Sequence, residues 1–140
     1  MKLTRRNALS IGASALAFAS MSGLPVFAGL AEDAIAELTG GADIGEGAIT
    51  LTAPEIAENG NTVPIAVDAP GAVEITVYAD GNPVPNVATF RFGPLSASRS
   101  ASTRIRLART QNVIAVAKME DGSFQMAKSE VKVTIGGCGG

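Results

Sequence analysis

The sequence predicts a mainly β protein, an antiparallel sandwich led by one short helix. Three observations carry that prediction. Apolar residues alternate with polar ones in seven short runs after residue 48. Turn-forming pairs such as Asp80-Gly81 and Asp121-Gly122 lie between the runs. Only one stretch, Leu30 to Leu38, has helical spacing of comparable strength.

The chain has 140 residues, which fits one domain. All thirteen acids and eight of the eleven cations lie after residue 28, so an acidic body follows a basic start. An acidic body argues against nucleic acid, whose binders present a basic footprint. There is no histidine, which removes Ser-His-Asp and Cys-His catalysis and His metal ligation. One cysteine excludes an internal disulfide and a cysteine-cluster metal site.

Residues 1–28 read as an export signal. Lys2, Arg5 and Arg6 precede the apolar run Ala8 to Ala19, too short and too rich in Gly and Ser to span about 30 Å of hydrocarbon. Val26-Phe27-Ala28 offers small residues where a signal peptidase cuts, placing cleavage after Ala28. The pair Arg5-Arg6 is similar to a twin-arginine signal, although Ala8 stands where a bulky residue is usual. The expected destination is the periplasm, with no membrane span.

Within 29–135, Ala31, Ala34, Ile35 and Leu38 share one face of the helix, with Glu32 and Asp33 in its first turn and Gly40-Gly41 after it. The strand candidates follow in order: Ile49 to Ala53, Val63 to Val67, Val73 to Val77, Ala88 to Phe92, Ala101 to Leu107, Val113 to Ala117 and Met126 to Ile135. Asn59-Gly60 predicts a hairpin. Strands at this spacing, with no second strong helix, predict an immunoglobulin-like sandwich. About 110 residues can bury roughly two-thirds of their unfolded surface, enough for a core without staples.

The Gly40 to Gly47 stretch lacks the Lys-Ser/Thr ending of a phosphate loop and has no strand before it. It reads as a helix stop and a flexible entry into the sandwich. Asp80 and Asp121 have turn roles, and Glu55 and Glu58 flank the expected hairpin, so no acid/base pair stands out. Arg99, Arg104, Arg106 and Arg109 are half of the cations after residue 28. They read either as the solvated face of a strand or as a patch for an anionic ligand or acidic partner.

The last strand runs straight into Gly136-Gly137-Cys138-Gly139-Gly140. These glycines allow backbone conformations that other residues avoid and put no bulk beside the thiol. Three residues past Ile135, Cys138 can reach about 10 Å beyond the last strand. A prenylation site needs Cys one place earlier, and a lipoprotein Cys would sit at the signal cleavage site. Two readings stand on chemistry alone: an intermolecular disulfide, giving an exported interaction module, or a covalent carrier thiol.

The five terminal residues resemble the carrier arm of the SoxY family of bacterial thiosulfate oxidation. The signal, the short leading helix and the segment Pro54 to Pro64 are similar to that family as well. The resemblance implies a covalent sulfur carrier rather than an enzyme, with intermediates attached to Cys138 and no other cofactor. It implies a heterodimer with a SoxZ-type subunit. It also implies three enzymes served in turn: a haem enzyme that couples thiosulfate to the thiol, a hydrolase that releases sulfate, and a dehydrogenase for the sulfane sulfur.

Overall fold

A computed structural model describes residues 26–135. The signal arginines Arg5 and Arg6 lie outside the described residues, as does the arm of Gly136, Gly137, Cys138, Gly139 and Gly140. One helix precedes nine strands. The helix is α1 (Val26–Thr39), and the strands are β1 (Ile44–Glu46), β2 (Thr50–Thr52), β3 (Ile56–Ala57), β4 (Val63–Asp68), β5 (Ala72–Ala79), β6 (Asn86–Arg91), β7 (Ser100–Ile105), β8 (Gln111–Met119) and β9 (Phe124–Val133).

Helix α1 covers the expected Leu30 to Leu38 and begins earlier, at Val26. It stops where the two glycines take left-handed backbone, φ 65° at Gly40 and 81° at Gly41. The Gly41 amide turns back to the Ala36 carbonyl at 3.2 Å, the six-to-one bond of a Schellman cap.

The strands form two layers. The larger sheet runs β1-β9-β8-β5-β6, with β3 also on β9, and the smaller runs β2-β4-β7. Between them lies the main core, which includes Val63, Ile65 and Val67 from β4, Ile75 and Val77 from β5, and Val113 and Ala115 from β8. Alternation places these residues inside because successive side chains on a strand point to opposite faces. On the outer face of the larger sheet, α1 lays Ile35 over Tyr78, Ile114, Val116 and Phe124. Strand β8 is therefore covered on both faces, and that is why Val113 to Ala117 is an unbroken apolar run.

The architecture is the predicted two-layer β fold with one short helix, with two corrections to its parts. The stretch after Gly41 is not simply a flexible entry, since it contains β1, and β3 forms a second unforeseen strand. Both pair parallel with β9, Ile44 opposite Phe124 and Ile56 opposite Lys132. Segments of three and two residues are too short to show a period, and the neighbouring strand supplies their hydrogen bonds. The other correction concerns Asn59-Gly60, which closes no hairpin. It carries the chain from β3, on β9, to β4, which pairs with β2 and β7. The Asn59 side chain satisfies itself locally, its Oδ1 accepting from the Asn61 amide at 3.0 Å. The expected turns at Asp80-Gly81 and Asp121-Gly122 do join neighbouring antiparallel strands, β5 to β6 and β8 to β9.

Candidate functional site

Five strand termini meet at one end of the sandwich: the starts of β4 and β8 and the ends of β5, β7 and β9. The chain leaves the domain here, and its last residues are clamped by backbone. The Lys132 amide donates to the Glu55 carbonyl at 2.9 Å and the Thr134 amide to Ala57 at 3.0 Å. The Gly60 amide donates to the Ile135 carbonyl at 2.8 Å, while the Gly60 carbonyl accepts from the Leu107 amide, also at 2.8 Å. Gly60 thus bridges the exit of β9 and the end of β7. On the other side, the Val133 amide donates to Thr110 Oγ1 at 2.9 Å. The Ile135 side chain remains exposed, as does that of Ile56.

Behind this exit sits a buried amide network. Asn82 Nδ2 donates to the Arg106 carbonyl at 2.8 Å, and Asn82 Oδ1 accepts from the Ala108 amide and from Gln111 Nε2, each at 2.9 Å. Gln111 Nε2 also donates to the Arg109 carbonyl at 2.9 Å, and Gln111 Oε1 accepts from the Gly81 amide at 2.7 Å. A side chain at Gly81 would come within 2.9 Å of Gln111 Cβ, so the close approach requires glycine. The network fixes the backbone of residues 106–109. The sequence marked Asn82 only as a turn residue; a buried amide hub leaves no periodic signal.

The four arginines do not form one patch. Arg99 belongs to the opposite end, where it meets Glu120 at 3.3 Å. Arg104 and Arg106 alternate with buried Ile105 and Leu107 and are exposed at the exit end, as the strand pattern required. Arg104 Nη1 donates to Thr62 Oγ1 at 3.4 Å, and Arg109 lies across Gly81.

The carboxylates have structural duties. Asp80 accepts from the backbone and side-chain amides of Asn112 at 2.8 and 2.9 Å, tying the end of β5 to the start of β8. Hydrogen bonds from the Ser123 hydroxyl and amide hold the Asp121 carboxyl below its ordinary value. Tyr78 is pushed above the ordinary phenol value by burial, then by the charges of Glu74 and Glu37. Among the described residues there is no cluster of three or more metal-ligating side chains. None of their helices is long and apolar enough to cross a membrane. What this end offers is a rigid base for a departing chain, with arginines beside it.

A comparison with known protein families matches residues 35–138 to the sulfur oxidation protein SoxY. The chain belongs to the SoxY family. Among solved structures, the sulfur carrier protein SoxY from Chlorobium limicola f thiosulfatophilum is 41% identical, with a TM-score of 0.66, covering 77% of this chain and 99% of its own. Superoxide reductase (neelaredoxin) from Ignicoccus hospitalis is 18% identical at a TM-score of 0.55, covering 61% of this chain and 78% of its own. A putative superoxide reductase from Thermotoga maritima is likewise 18% identical at 0.52, covering 65% and 87%. Those two likenesses show the sandwich alone. A search of the curated proteins finds no match. The SoxY match runs past the described sandwich to Cys138 itself.

Proposed function

We propose that this SoxY-family chain is a covalent carrier of sulfur intermediates in periplasmic thiosulfate oxidation, with Cys138 as the attachment site. The observation that carries the reading is the family match reaching Cys138, together with 41% identity to a sulfur carrier across nearly all of that protein's length. Gly136, Gly137, Gly139 and Gly140 form the slender arm, and the clamp at Gly60 gives it a fixed starting point. Residues 1–28, with Arg5 and Arg6, direct export. A SoxZ-type subunit completes a heterodimer. A haem enzyme, a sulfate-releasing hydrolase and a sulfane dehydrogenase act in turn on what the arm presents. An unperturbed thiol is only a few per cent thiolate at neutral pH, which suits a cysteine activated inside a partner's site.

The test is mass spectrometry of protein isolated without reductant from cells growing on thiosulfate. Sulfur and sulfonate adducts should appear on the terminal peptide. Cys138→Ser should abolish them without changing the melting temperature, because nothing in either core involves Cys138. Finding only free thiol and a homodimeric disulfide would sink the carrier reading and favour an interaction module.

A further inference from the structure

The exit end carries a charge arrangement that a passive base for an arm does not need. At the opposite end, Arg91 and Arg99 are each matched to a glutamate. At the exit, Arg104 bonds only a hydroxyl, and Arg106 meets no carboxylate among the described residues. Arg106 extends from backbone fixed by Asn82. Two carboxylates share this end: Asp80, committed to Asn112, and Glu58, whose carbonyl accepts from the Thr134 hydroxyl at 3.1 Å.

The spacing brings these arginines within range of what the terminus carries. Leu107 and Ile135 are each one backbone hydrogen bond from Gly60, which puts their backbones about 10 Å apart, two strand spacings. Cys138 is three residues past Ile135, a contour of at most about 10 Å. A group on its sulfur can therefore lie beside Arg106 and Arg104. Small sulfur oxyanions are the chemistry that guanidinium groups recognise, through paired N–H donors aimed at oxygen.

We propose that Arg104 and Arg106 form a receiving site for small sulfur oxyanions at Cys138, both those arriving to react and the sulfonate end of those already attached. The proposal rests on the reading of Cys138 as the carrier thiol. The site makes the carrier selective for anionic reactants before any enzyme takes hold of the arm.

Alkylation of the full chain tests this with two probes of similar size. Iodoacetate is an anion and iodoacetamide is neutral. In both reactions the Cys138 thiolate forms an S–C bond and iodide leaves, so their rate ratio isolates the charge of the reagent. At low salt, Arg104→Gln with Arg106→Gln should lower the iodoacetate-to-iodoacetamide ratio about three- to sixfold, as two charges about 8 Å from the thiol require. Arg104→Lys with Arg106→Lys should largely keep it. Near 1 M salt, where the screening length falls to about 3 Å, the difference should vanish. An unchanged ratio in the glutamine variant, with melting and iodoacetamide rate intact, overturns the proposal. If such a variant also transfers more slowly to a partner enzyme, the arginines belong to protein docking instead. A thiol that reacts with both probes but never carries sulfur in cells defeats the carrier reading, a different failure.

Discussion

The two ends of the sandwich are held together by different physics. At the end away from the exit, contacts are wet or short in sequence: Arg91 to Glu74 at 2.9 Å, with Arg91 82% exposed, and Asp121 to Ser123 within one turn. At the exit end they are buried and distant in sequence. Asn82 and Gln111 are 8% and 6% exposed and join segments 24 to 30 positions apart, while Gly60 ties two sheets by backbone alone. Exposed ion pairs gain little over water, whereas a buried polar group that loses its partner bears the full cost of desolvation. The end that releases the chain is thus the end least tolerant of a missing atom.

That contrast orders the expected effects of substitution. The largest belongs to Asn82→Leu, which strands the Ala108 amide, the Arg106 carbonyl and part of Gln111 in a buried place. Orphaned buried groups cost about 1–3 kcal/mol each, and a net loss of about 3 kcal/mol lowers the melting temperature of a domain this size by roughly 10–20 °C. Calorimetry should find it, and a loss under about 1 kcal/mol would mean that the network carries no special weight. Gly60→Pro removes one donor and should cost about 1–2 kcal/mol, read as a shift in urea midpoint. A midpoint equal to that of the parent would show that the clamp on Ile135 is incidental. The smallest effect is expected at Glu74→Gln, which breaks the exposed pair with Arg91. It should change stability by no more than about 0.5 kcal/mol. A loss as large as that at Asn82 would erase the distinction between the ends.

Legibility in the sequence divides along similar lines. Alternation revealed β4 at Val63, Ile65 and Val67 because burial on one face writes a period of two. It revealed β8 as a continuous run because α1 and the smaller sheet cover both of its faces. Helix α1 announced its stop through Gly40-Gly41, whose left-handed backbone few other residues adopt. What stayed hidden were features decided by distant partners. Strands β1 and β3 exist because β9 pairs with them, and Asn59-Gly60 had the chemistry of a hairpin without strands that pair across it. For the site, the sequence singled out Cys138 by its glycines and Arg104 and Arg106 by their alternation. It could not tell that Arg99 belongs to the other end, nor that Asn82 fixes the backbone under Arg106. Both facts depend on which strand ends the fold brings together.

Strand β9 has β8 along one edge and β1 and β3 on the other, near its beginning and its end. Local opening spreads inward from edges and termini with few bonds, and a strand bonded on both sides opens only with the elements around it. Although the last strand sits next to a chain terminus, it therefore belongs to a cooperative unit that unfolds late. Repeated making and breaking of bonds at Cys138 can proceed while the strand behind it stays closed, so wear at the tip does not become partial unfolding of the body.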